Sequence, residues 1–202
     1  MQETLLITFL MLSQKFRRFL IRTLKPLSVF IGRLHYAPKH RAVKASHVYD
    51  MGNVLRPGDV LITFSLGELT NYFIEGDFKH AALYVGNNKV VEAIGKGVSV
   101  TDFEDFCSGK DRIAIMRPLF CTAETCKIAA MNAASQIGKP YDYYFEMGEK
   151  AFYCAELITW AYFNATIGTS PFTKRTVMGA ETVLPVDFYL AKSKFELVIE
   201  RP

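Results

Sequence analysis

Residues 79–94 read KHAALYVGNNKVVEAI, and the folding of this stretch decides the architecture. Residues 79–85 alternate in character, Gly86-Asn87-Asn88 is turn chemistry, and residues 89–94 return as a second strand, so the spacing predicts an antiparallel hairpin. His80, Ala82 and Tyr84 share one strand face, and small Ala82 leaves room beside the imidazole. Register then decides where Glu92 points. A three-residue loop over 86–88 pairs Ala82 with Glu92 and puts Glu92 diagonal to His80, roughly 7–8 Å away between backbones. A two-residue Asn87-Asn88 loop pairs Leu83 with Glu92 and turns the carboxylate to the other face. A His80–Glu92 pair therefore requires an odd loop or a bulge. A buried Glu inside Val-Val-Glu-Ala-Ile is expensive without a partner, which favours the paired arrangement.

Upstream of the hairpin, Arg56-Pro57-Gly58-Asp59 is a turn and residues 60–64 read as a short buried strand, followed by a short helix or loop over 67–76. Downstream, residues 97–100 suit a further strand, 101–107 a short capped helix, and 112–116 a strand stopped by Pro118. Residues 122–137 form an Ala-rich helix with Thr122 as N-cap and Gly138-Lys139-Pro140 as its stop. A second helix spans 152–166, and a last strand 195–199. This order predicts an α+β fold, with an antiparallel sheet packed against helices and an N-terminal helical extension.

The chain has 202 residues, one domain plus extensions. Half of them are hydrophobic and 22% charged, which excludes a disordered chain. Four Cys without a CxxC pair exclude a disulfide framework and weaken a zinc reading; free thiols in a reducing compartment, with no metal and no cofactor, are expected. Charge is uneven: residues 1–50 hold nine Lys/Arg against two carboxylates, the remainder 15 against 18. The expected division is a basic arm and linker over 1–50, with residues 36–56 as linker, and a body over 51–202.

In the arm, the apolar run 4–12 is far too short to span a bilayer and lacks the leading positive charge of a secretory signal. Leu5, Phe9, Leu12, Phe16, Phe19 and Leu24 fall roughly on one helical face, with Lys15, Arg18, Arg22 and Lys25 off it. Such a helix can pack on the body or on a second copy of the chain, or residues 1–35 can lie on an anionic membrane. No aromatic-basic sheet motif, zinc finger or recognition helix points to nucleic acid. The expected location is cytoplasmic, with peripheral membrane attachment through the arm as its extension; oligomeric state is not specified.

All four His (His35, His40, His47, His80) precede all four Cys (Cys107, Cys121, Cys126, Cys154), so any Cys–His pair runs His first, the reverse of papain. Cys154 opens a helix after a loop, where first-turn amides and the dipole favour a thiolate, with Glu156 in the same turn opposing. Alone, such a Cys is more often a small buried apolar residue, and a lone strand His more often a structural one. A catalytic reading needs the thiol near His80 and a third group, Glu92, on the other ring nitrogen.

Gly58-Asp59-Val60, His80-Ala81-Ala82-Leu83-Tyr84-Val85-Gly86, Val91-Glu92-Ala93 and Phe152-Tyr153-Cys154-Ala155-Glu156-Leu157, in this order over roughly residues 55–165, resemble the circularly permuted NlpC-type cysteine hydrolases of the YiiX/YebB-like group. The resemblance implies a permuted papain-like fold with Cys154 as nucleophile, His80 as base and Glu92 as orienter. Gly138-Lys139-Pro140-Tyr141 looks like the Gly-x-Pro-Tyr stretch of the unpermuted relatives and implies Tyr141 as an oxyanion or substrate-positioning hydroxyl. The expected activity is hydrolysis of, or acyl transfer from, a peptide, amide or lipid ester, since the broader group includes peptidoglycan amidases and the lecithin–retinol acyltransferase branch. The rival expectation is a non-catalytic module that keeps the fold and docks on a membrane or partner through the arm.

Overall fold

A computed structural model describes residues 42–66, 76–143, 148–168, 172, 174–177 and 180–202. The apolar-basic helix expected before Pro26 and the segment 67–75 lie outside the described residues.

The strands are β1 (Val60–Phe64), β2 (His80–Gly86), β3 (Lys89–Ile94), β4 (Gly97–Asp102), β5 (Arg112–Pro118), β6 (Arg175–Val177), β7 (Ala180–Thr182) and β8 (Phe195–Arg201). The helices are α1 (Ala45–Gly52), α2 (Phe103–Cys107), α3 (Ala123–Ala134), α4 (Cys154–Ala165) and α5 (Pro185–Leu190). Six strands form one sheet in the order β4-β3-β2-β1-β5-β8, every neighbouring pair antiparallel, while β6 and β7 form a separate hairpin. The fold is α+β with an antiparallel sheet between helices.

Alternation along the strands feeds two cores. Val60, Ile62, Ala81, Leu83, Val91 and Ala93 face α3, α4 and α5, while Leu61, Ala82, Val90, Ile113 and Ile115 face α1 and α2. Small residues let the helices approach closely: Ala129, Ala133 and Ala161 are fully buried, and the Asn132 amide donates to the Ala161 carbonyl at 3.1 Å. Thr122 caps α3 as expected, its Oγ1 accepting from the Thr125 amide at 3.2 Å.

Residues 45–52, inside the stretch expected as linker, form α1. Val48 and Met51, three apart on one helical face, pack against Phe103 and Phe106, and Met51 is fully buried. The hairpin β6–β7 and the helix α5 were not expected from sequence; short elements with few periodic positions leave little pattern to read.

The turn at Gly58 is fixed by contact. Its φ is +94°, a Cβ there would stand 2.6 Å from the Cys126 Cβ, and its carbonyl accepts from the Tyr162 hydroxyl. Next to it, buried Asp59 receives Arg117 in a forked pair, Nε to Oδ1 at 2.9 Å and Nη2 to Oδ2 at 2.7 Å, and its Oδ2 also accepts from the Arg56 amide at 2.8 Å. Gly58-Asp59 thus ties the start of β1 to β5 and to α4.

Candidate active site

The β2–β3 hairpin settles the register question by combining the two alternatives. The loop is the two-residue Asn87-Asn88, both at positive φ (51° and 59°), and Gly86 pairs with Lys89. Val85 is an extra residue on β2, so that Tyr84 pairs with Val90 and Ala82 with Glu92. The bulge restores the pairing that the odd loop would have given. His80 and Glu92 meet on the diagonal, with Nε2 of the ring donating to Oε2 of the carboxylate at 2.7 Å. The other carboxylate oxygen, Oε1, accepts from Thr101 Oγ1 at 2.6 Å.

The third group arrives from the far side of the chain. Residues 152–153 remain extended, because the Phe152 amide donates to the Pro140 carbonyl at 3.1 Å and Phe152 forms a parallel bridge with Tyr141. Cys154 is therefore the first helical residue of α4, two positions later than the helix start read from sequence. Cys154 is 5% exposed and lies close enough to His80 for its thiol to act on the titration of the imidazole. His80 thus joins Cys154 and Glu92. Burial, the largest single effect, pulls its titration down, but the interaction with Cys154, the Glu92 hydrogen bond and the charges of both groups together raise it from 6.5 to about 9. Glu92 is pushed up by burial, yet the His80 bond, the His80 charge and the Thr101 bond bring it below the ordinary carboxylate value. His80 also lies 6.1 Å, ring to ring, from Phe106.

Tyr141 is held beside this group. The amide of Asp142 donates to the Phe152 carbonyl at 3.0 Å, and the preceding residues are tied to β4 by Val98 N to Lys139 O at 2.8 Å and Gly138 N to Val98 O at 2.9 Å. Burial, then the neighbouring Cys154, push the Tyr141 phenol well above its ordinary value and keep it a donor. Tyr143 packs edge-on against Tyr141 at 4.8 Å, and its hydroxyl donates to the Gly95 carbonyl at 2.8 Å.

Glu156, expected to oppose a thiolate, is almost completely buried. Its Oε1 accepts from the Gly148 amide at 2.7 Å and its Oε2 from the Tyr153 amide at 3.3 Å, so it clamps the loop before the helix. Burial pushes its carboxyl up to about 8, so at neutral pH it is largely uncharged and opposes negative charge at Cys154 only weakly.

The remaining thiols lie elsewhere. Cys107 is buried between α2 and the sheet, and burial followed by the Glu104 charge pushes it up to about 12. Cys121 and Cys126 are neighbours around the start of α3, and their interaction lowers Cys126. All four are free, and among the described residues no group of three or more His, Cys, Asp or Glu could hold a metal ion.

Two residues at the site escaped the sequence reading. Thr101 was legible in principle: a tight turn at Gly95-Lys96 pairs Glu92 with Ser99 and leaves Thr101 on the same face, one diagonal away. The Glu156 clamp had only a weak signal, a Glu three residues after the N-cap.

Comparison with known proteins bears on this arrangement. A family model described as a permuted papain-like amidase enzyme, YaeF/YiiX, C92 family, matches residues 54–198. The curated "Probable lipoprotein peptidase YaeF" of Escherichia coli strain K12 is 33% identical over 67 residues, which cover 31% of this chain and 24% of that relative. The chain thus matches about a quarter of the length of this curated relative. A crystal structure titled as the metalloprotein yiiX of Escherichia coli O157:H7 superposes with a TM-score of 0.60 at 18% identity, covering 72% of this chain and 97% of that one, and supports the fold.

Proposed function

The chain belongs to the permuted papain-like amidase family, and from that premise we propose that it is a cysteine hydrolase that opens an amide bond through Cys154, His80 and Glu92. The observation that carries the reading is the divided imidazole. Nε2 of His80 is committed to Glu92 at 2.7 Å, which leaves Nδ1 as the ring atom to take the proton of Cys154, whose thiol interacts with the same imidazole.

The proton of Cys154 rests on Nδ1 before the attack, since His80 is raised to about 9, and the bared sulfur then attacks the substrate carbonyl. The oxyanion is met by the Cys154 amide, one of the first-turn amides that a helix leaves without an internal partner, and by the Tyr141 hydroxyl. The imidazolium, supported by Glu92, gives its proton to the leaving amine as the C–N bond breaks, leaving a thioester on Cys154. His80 then takes a proton from water, which attacks the thioester and releases the acid and the thiol. Glu92 stays ionised throughout and fixes the ring.

A peptide or other amide is the proposed substrate. A lipid ester, with hydrolysis or acyl transfer at an anionic membrane, is the second reading, favoured by the nine Lys/Arg within residues 1–50. Thiol-probe labelling of the full chain, competed by peptide amides or by phospholipid vesicles, separates the two. Cys154 is expected to react at least about tenfold faster than Cys107, and Cys154→Ala to lose about a thousandfold or more in hydrolysis while Cys107→Ala, Cys121→Ala and Cys126→Ala keep it. Full activity in Cys154→Ala would leave only a binding module on a hydrolase fold.

A further inference from the structure

We propose that Thr101 is a positioning residue of this site, its hydroxyl locking the Glu92 carboxylate in the plane that His80 requires; the inference rests on the cysteine-hydrolase reading above. Glu92 sits on a buried strand, and its carboxylate is reached from both sides. Oε2 accepts from His80 on β2 at 2.7 Å, and Oε1 accepts from Thr101 on β4 at 2.6 Å. One partner leaves a carboxylate free to turn about its last torsion, whereas two partners on opposite oxygens fix that torsion. The imidazole is aimed through the same bond, so the Thr101 hydroxyl sets the ring's direction toward Cys154 at one remove.

The choice of Thr101 over its neighbour is itself informative. Ser99 is the residue directly opposite Glu92 in the ladder, yet its buried hydroxyl has no partner among the described residues. Thr101, one diagonal away, makes the bond. A β-branched side chain has fewer rotamers than Ser and holds its hydroxyl in one direction at a lower entropic cost. The grip on Glu92 therefore comes from an edge strand, through one stiff side chain, and not from the nearest hydroxyl. Lys110 also lowers the Glu92 carboxyl through its charge, without a hydrogen bond to it, and supplies no direction.

The test compares Thr101→Val, which keeps the shape and loses the hydroxyl, with Thr101→Ser, which keeps the hydroxyl. Ser99→Ala is the control for general damage to β4. The readout is the rate of Cys154 alkylation by iodoacetate from pH 6 to 10, located by mass spectrometry in the full chain. Iodoacetate is an anion and favours the state in which the imidazole carries its proton.

Thr101→Val is expected to react at nearly the parent rate at pH 7 but about fivefold more slowly at pH 9, its alkaline limb falling about one pH unit earlier because a carboxylate without its second partner aims and supports the His80 imidazolium less well. Thr101→Ser and Ser99→Ala are expected to follow the parent. Should Thr101→Val fail to fold by circular dichroism, Thr101→Ala takes its place. Equal rates and equal limbs in the Val and Ser variants overturn the inference, as does an equal loss in Ser99→Ala. A parent chain whose Cys154 reacts no faster than in urea overturns the hydrolase reading instead, so the two failures are distinct.

Discussion

Replacing Glu92 with Gln keeps the size of the side chain and an oxygen acceptor for His80 but removes the charge. His80 titrates near 9 instead of 6.5, so the folded state favours the imidazolium by about 3 kcal/mol. A histidine raised in this way stabilises the fold fully below about pH 6.5, and the contribution is lost as pH rises through about 9. Cys154 and Glu92 share the support, and Gln retains the hydrogen bond without the charge. Glu92→Gln should therefore lower the His80 titration by the part that the charge supplies, the smallest of its supports, and remove about 1 kcal/mol of the pH-dependent stabilisation. Absolute stability is a poor guide, because the variant also escapes the cost of burying a carboxylate, a term that does not vary with pH while Glu92 stays ionised. The slope is the measurement. Urea unfolding of both proteins from pH 6 to 10 should show a gap in stability that shrinks by about 1 kcal/mol across the range, with the His80 ring titration followed directly by NMR. Parallel pH curves and an unmoved His80 titration would refute the reasoning.

Two other substitutions test features around the site. Gly58→Ala should cost about 2–4 kcal/mol in urea unfolding, because φ is +94° and the new methyl would stand 2.6 Å from the Cys126 Cβ and 2.8 Å from its carbonyl oxygen; a loss below 0.5 kcal/mol contradicts that packing. Glu156 has a folded carboxyl raised to about 8, so its contribution to stability is present below about pH 4.5 and is lost as pH rises toward 8. Thermal unfolding of Glu156→Gln should lack that decline, and a decline identical to the parent's would place the buried titration elsewhere.

Much of the fold was legible because its patterns are local. The Thr122 cap, the Ala-rich run after it and the stop at Gly138-Lys139-Pro140 each report on a few neighbouring residues, and α3 follows. The His80–Glu92 pairing was legible only as a condition, since nothing in Gly86-Asn87-Asn88 states whether the loop is odd or the strand bulged. Twist and the demand of a buried carboxylate for a partner decide it, and both belong to the assembled sheet. The helix at Ala45–Gly52 was missed because its polar residues hide a narrow stripe, Val48 and Met51, that acquires meaning only once Phe103 and Phe106 lie opposite. Thr101 was missed for a related reason: its importance depends on a register two strands removed from His80.

The extra residue at Val85 has a consequence for how this family of sequences can vary. Side chains on a strand come in two classes, odd and even, and the hairpin fixes which class Glu92 joins. A single-residue deletion there reverses the parity of everything on the return strand relative to His80, silently removing the carboxylate while leaving Val91-Glu92-Ala93 and the Cys154 motif intact. Length changes at this hairpin should therefore be tolerated only in steps of two, and a homologue one residue shorter should have lost the acid's role or moved it to another position.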